Sequence, residues 1–484
     1  MTDHLAYDNP LITRYAGREM VNRWGPQRKF STWRRLWLAL TETQAELGMT
    51  ADDSKTPRIR PEQLAELKQH LDDIDFAKAA EYEKRFRHDV MAHIHTLGDA
   101  APGCRDILHL GATSCYVTDN TDLILIRESL QAVRDQLVGV IDGLARFAQQ
   151  HNDVPCLGYT HFQPAQLTTV GKRACLWCYD FVMDLEEVER RLDGLKFRGA
   201  KGTTGTQASF LALFRGNHLK VMDLDRRVAA KMGFVSVYPV TSQTYSRKVD
   251  SQVLDLLAGI AQSAHKTATD WRLLAHEQEW DEPAESDQIG SSAMAYKKNP
   301  MRSERVCSIS RWVLGLPSMA AHTMSTQWLE RTLDDSAGRR LYLPQAFLGV
   351  DAILRILLHV IQRMTINKAV IAHHVAEELP FMATENLLMA AVAAGADRQV
   401  VHERIRLISQ QVTANLKSGA GHNDLIERLQ ADSVFGGVNF ANELSPSHYV
   451  GRAPEQVAEF IHQVVDPIRS RYPGLVFTSP ELHV

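Results

Sequence analysis

The chain has 484 residues and carries 54 lysines and arginines against 58 aspartates and glutamates, a net charge of -4. A balance this even argues against nucleic acid as a partner, and the first twenty residues lack the charged start and apolar stretch of a secretory signal. No apolar run is expected to cross a bilayer, and six cysteines in so long a chain fit a reducing, cytoplasmic setting rather than a disulfide framework.

In chain order, residues 1–113 read as shorter helices. One begins near Ser31 with Trp33, Trp37 and Leu40, and another follows Pro61 with Leu64, Leu67 and Leu71. Arg87, His88 and Asp89 open a histidine-rich stretch that includes His93 and His95. No thiolate or carboxylate set completes a coordination shell there, so no metal is expected. A helix end presenting Arg87 and His88 to an anion is the better reading. Gly111, Ala112, Thr113 and Ser114 form either an anion cradle or plain capping for the next helix.

Between Asp119 and Gln150 apolar residues from Leu123 to Phe147 recur at steps of three and four, the seam of a long bundled helix capped by Asp119 or Asn120. The next segment sets His161 between Thr160 and Gln163, just before a second long helix whose seam runs from Leu167 to Leu195, with Pro164 near its start. An imidazole there exchanges protons near neutral pH or simply makes a structural hydrogen bond. Cys175 and Cys178 fall inside that helix and read as buried structural thiols. Residues 201–207 lack the order of a nucleotide phosphate loop. A third helix is expected over 248–279, with further helical segments over 303–330 and 341–366. Helices this long bury their seams by packing along one another, and such a bundle invites self-association. Residues 367–484 read as helices broken by Pro380, by Gly419 with Gly421, and by Gly436 with Gly437. The expected domains are 1–113, 114–366 and 367–484.

The segment from Gly290 through Ser291, Ser292, Lys297, Lys298 and Asn299 suits neither a core helix nor a strand. Gly290 there permits backbone angles that other residues resist. Small, polar and cationic groups at this density suit a mobile loop closing over an anion, or else a solvated turn. Arginines cluster after it, with Arg302 and Arg305, then Arg331, Arg339 and Arg340 around Asp334, Asp335 and Ser336. Paired guanidinium forks suit carboxylates and phosphates. Glu304 is a carboxylate that could orient His161.

Three separated blocks resemble the fumarase/aspartase superfamily: Gly111 to Ser114 with Asp119 and Asn120, Thr160-His161 with Gln163-Pro164, and the loop over 290–299. Within it, residues 160–166, 201–207, 243–248 and 331–336 are most similar to the adenylosuccinate lyase family, and the similarity runs from about residue 12 to the C-terminus. The resemblance implies an all-α, three-domain subunit with a central long-helix bundle. It implies a homotetrameric helical core and active sites where three copies meet. The implied reaction is β-elimination of fumarate from adenylosuccinate, giving AMP, and from succinylaminoimidazole carboxamide ribotide in purine synthesis, with no cofactor. It implies Ser291 as the base and His161 as the acid, with Lys297 stabilising charge and Glu304 holding His161. It implies substrate binding by Arg14, Tyr15, Arg87, His88, Asp89, Thr113, Ser114, Thr160, Gln243, Asn299, Arg305, Arg331, Ser336 and Arg340. The family's loop usually reads Ser-Ser-x-Met-Pro. Here Ala295 replaces the proline, which is expected to loosen the hinge and alter closure while leaving the reacting groups in place. The alternatives are a sister lyase acting on argininosuccinate, aspartate or malate, and a helical oligomer without activity.

Overall fold

The computed structural model describes residues 5–51, 55–285, 287–419, 421–475 and 480–482. Four helices form its spine: Ser114–Gln150, Val170–Gly194, Lys248–His276 and Asp335–Ile361. Their apolar seams interlock. Leu130, Leu137, Ile141 and Leu144 of the first, Trp177, Phe181 and Leu185 of the second, Leu257, Ala261 and Trp271 of the third, and Leu354 and Leu357 of the fourth all lie in one core. Gly143 permits a close approach, since a Cβ there would lie 2.7 Å from Ile361 Cγ2. The N-terminal helix Pro26–Glu46 adds Trp33, Leu36, Trp37 and Leu40 to the same core.

The all-helical reading holds, and its boundaries move. The first spine helix starts at Ser114, not at Asp119 or Asn120, and both of those side chains are buried. Asn120 instead donates to the carbonyls of Tyr116 and Gly199, and Asp119 pairs with Arg247. The second spine helix starts at Val170, with the Thr169 hydroxyl accepting from Lys172 N–H. Between the two lies a β-hairpin, Pro155–Thr160 against Gln163–Thr169, so Leu167 is a strand residue and Pro164 does not open a helix. The expected segment 303–330 is two helices, Met301–Leu314 and Pro317–Ser325.

The helix Asp335–Ile361 is long and apolar enough to cross a membrane by length and composition, contrary to the sequence expectation, but 78% of its apolar window is buried inside the protein. It is the core strut of the bundle. A separate small core, with Leu387, Val401, Leu425 and Phe435, holds the segment around 383–444. The chain then returns to the spine, where Val457, Ile461, Val465 and Ile468 join the main core and Arg469 pairs with Asp142.

One buried carboxylate works against this core. Asp184 lies on the helix Val170–Gly194 beside Gly259, and its Oδ2 has no hydrogen-bond partner among the described residues. Burial, with the like charge of Asp180, pushes its pKa up from 3.8 to about 7. The native state therefore binds this proton more tightly than the unfolded chain, so the contribution of Asp184 to stability falls as pH rises from about 4 to about 7. Asp184→Asn is expected to raise the melting temperature by an amount that grows across that window and then stays constant. An equal change at pH 4 and pH 8 would contradict this.

Candidate active site

Four helix N-termini converge on one cavity of about 620 Å³. They belong to the helices beginning at Asp89, Ser114, Lys248 and Asp335. Each such end carries the partial positive charge of its helix dipole, so the arrangement favours an anion. Lys29, Arg87, Arg331 and Arg340 line the same space.

The side chains around it are held from below. Arg87 sits at φ 56° as the C-cap of the helix Phe76–Phe86, which turns the chain so that His88 caps the next helix. His88 Nδ1 accepts from Met91 N–H at 3.3 Å, which leaves Nε2 3.3 Å from the Ser114 hydroxyl. His93 and His95 point elsewhere: His93 is buried and stacked on Phe30 with ring centroids 3.7 Å apart, and His95 packs on Phe86. Burial pulls the His93 pKa down to about 4. His88 stands at the cap of this helix, whereas His93 and His95 lie within it.

Arg340 donates to Asp89 at 3.0 Å. The Gln243 amide is fixed at both ends, its Oε1 accepting from the Cys115 thiol at 3.5 Å and its Nε2 donating to the Thr203 carbonyl at 3.0 Å. Pro344 interrupts the ladder of the helix Asp335–Ile361 just beneath the cavity, where it can donate no bond to the Arg340 carbonyl.

Of the residues singled out from sequence, Arg87, His88, Asp89, Ser114, Gln243, Arg331, Ser336 and Arg340 line this cavity. Thr113 occupies the N-cap position beside Ser114, with no side-chain capping bond, and does not line the cavity. Arg14, Tyr15 and Arg305 form a second cluster with Arg355, the Arg305 guanidinium lying 5.7 Å from the Tyr15 ring centroid. Thr160, His161, Ser291, Lys297, Asn299 and Glu304 line neither within a single chain.

His161 and Phe162 form the two-residue turn of the hairpin, with φ of 54° and 56°. Both lie in the left-handed region that a tight hairpin demands and that side chains resist. The hairpin thus holds an exposed imidazole at its tip, and its base is fixed where Leu157 and Leu167 pack on Val375 and Leu379.

The loop over 290–299 folds on itself. The Ser291 hydroxyl oxygen accepts from the N–H groups of Ala293 at 3.3 Å and Met294 at 3.0 Å. Asn299 Nδ2 donates to the Gly290 carbonyl at 2.7 Å and pinches the loop shut. Gly290 is required here by close approach rather than by unusual backbone angles, since a Cβ would lie 2.4 Å from the Lys297 carbonyl oxygen. Lys297 and Lys298 project from this loop into solvent. At its base, Glu282 accepts from the N–H groups of Arg302 and Ser303 and caps the helix Met301–Leu314, whose first turn carries Glu304. Arg302 is buried and structural, whereas Glu304 is exposed.

Sequence reasoning missed several lining residues. Lys29 gave no signal at all. Burial, then the nearby Arg340, lowers its pKa, and its ammonium lies 5.1 Å from the ring centroids of Phe30 and Trp33. Arg247 and Asp335 stand inside motifs that were noticed, without their partnership being visible. Cys175 and Cys178 are buried thiols, and burial raises the Cys175 pKa to about 12, as expected of inert structural cysteines.

Comparison with known proteins bears on this arrangement. A family model described as lyase matches residues 66–315, and one described as adenylosuccinate lyase C-terminus matches residues 380–460. The adenylosuccinate lyase of Saccharomyces cerevisiae is 51% identical over 96% of this chain and 96% of its own. That of Schizosaccharomyces pombe is 49% identical over 98% of each. Among solved structures, the 3-carboxy-cis,cis-muconate lactonizing enzyme of Pseudomonas putida superposes with a TM-score of 0.79 over 96% of this chain and 99% of its own, at 19% identity. The fumarate lyase of Mesorhizobium sp. BNC1 gives 0.75 over 95% and 99%, at 20% identity. These two likenesses bear on the fold alone. Family-model matches and half-identical relatives along nearly the whole length establish that the chain belongs to the adenylosuccinate lyase family and is a carbon–nitrogen lyase.

Proposed function

We propose that this chain eliminates fumarate from adenylosuccinate, giving AMP, and from succinylaminoimidazole carboxamide ribotide, giving the carboxamide ribotide. The observation that carries the reading is the cavity where four helix N-termini meet Arg87, Arg331 and Arg340. A nucleotide with one phosphate and two succinyl carboxylates suits guanidinium donors gathered beside helix N-termini.

In this reading the Ser291 oxygen takes a proton from the CH2 carbon of the succinyl group, beside the carboxylate that this carbon bears. The C–H electron pair becomes the new C=C bond, the C–N bond breaks, and the nitrogen takes a proton from His161 as it leaves. A serine hydroxyl is a poor base at its ordinary pKa and needs help. The N–H groups of Ala293 and Met294 already point at its oxygen, as an alkoxide would require. Lys297 and Asn299 stabilise the charge that builds on the carboxylate. Glu304 would orient His161 once the two meet.

The acid, the base and the cavity lie on separate parts of one chain, so we assign them to different copies in a homotetramer. The bundle offers an uncovered apolar face for this, with Leu176, Tyr179 and Met183 about half exposed along one helix. The three domains are proposed to divide near residues 113 and 366. Six free, buried cysteines suit a reducing cytoplasm.

Turnover tests the reading. The loss of adenylosuccinate absorbance should follow enzyme concentration, and both purine substrates should be consumed. Turnover of argininosuccinate, aspartate or malate instead would replace it with a sister activity.

A further inference from the structure

The floor of the cavity is an ionic relay between the starts of three spine helices. Arg331 lines the cavity and donates through Nη1 to Asp335 Oδ1 at 2.8 Å. The other oxygen of Asp335 accepts from Arg247 Nε at 2.7 Å. Arg247 in turn grips Asp119 with both terminal nitrogens, at 3.0 and 3.1 Å. Asp119 also accepts from Tyr245 N–H at 3.0 Å. Asp335, Arg247 and Asp119 are each at most 2% exposed. The relay alternates in charge, and burial is tolerable because each ion faces opposite charges with aligned donors. Its outer end differs from its inner end: Arg331 is 22% exposed, and none of its other side-chain donors bonds a described protein atom.

We propose that Asp335, backed by Arg247, is a positioning residue for Arg331, fixing one edge of its guanidinium so that the remaining donors meet the phosphate or carboxylate of the substrate. This rests on the substrate-site reading given above. A free arginine would lose rotamer freedom on binding, whereas one already fixed by a buried carboxylate has lost it on folding. The planar fork is essential because it bonds the protein along one edge and leaves the other for ligand, which a lysine ammonium cannot do.

A double-mutant cycle on the full-length enzyme, with adenylosuccinate turnover as the readout, tests this. Arg331→Ala should raise KM by about tenfold or more, and Asp335→Asn should raise it by a similar factor with a smaller change in kcat. In the Arg331→Ala background, Asp335→Asn should add less than about twofold, because the group it positions is gone. Effects that multiply instead would overturn the positioning role and leave the site intact. An Arg331→Ala enzyme with unchanged KM would sink the reading of the site itself. Should Asp335→Asn fail to fold by circular dichroism, Arg331→Lys decides the matter: the proposal requires a raised KM, and a wild-type KM would refute it.

Discussion

Ser291→Ala and His161→Ala are each expected to lower kcat for adenylosuccinate by about a thousandfold, within the range that positioned proton transfer supplies. Neither side chain is part of the core. Ser291 bonds only the N–H groups of its own loop, and His161 is exposed at a hairpin tip. Their loss should leave melting temperature and oligomeric state unchanged, which separates chemistry from folding. The KM values should move less than kcat, because the cavity arginines proposed to bind substrate lie elsewhere. A His161→Ala enzyme with kcat near wild type would remove the acid from the account. A Ser291→Ala enzyme with kcat near wild type would remove the base.

The long helices were legible because a helix buried along one stripe must repeat its apolar residues every three or four positions. That period runs from Leu123 to Phe147 without interruption. The start of that helix was not legible. Asp119 and Asn120 have the chemistry of caps, yet the chain buries both to tie the helix to Arg247 and Gly199. Tertiary pairing overrode local preference there. The hairpin was hidden for a related reason. Its turn is built from His161 and Phe162 rather than from glycine or asparagine, so the usual signal for a tight turn is missing.

The candidate site was legible in part. Arg87, Arg331 and Arg340 stood out as cations beside small polar residues, and the structure places all three around one cavity. The relay beneath them was not legible, because Asp119, Arg247 and Asp335 are far apart in sequence and meet only in the folded bundle. Gly290 drew notice for its conformational freedom, whereas its role is to let the Lys297 carbonyl come close.

Nothing in a single chain brings Ser291 or His161 to that cavity. The account therefore requires copies of the chain to complete one another, and subunit mixing reads this out directly. Inactive His161→Ala and Ser291→Ala enzymes are combined in equal amounts under conditions that exchange subunits, and turnover is followed. If each site draws its acid and its base from different copies, about a quarter of sites in a random mixture inherit both intact groups and activity returns. If exchange is verified by mass and activity stays absent, acid and base belong to one copy and the shared site is wrong.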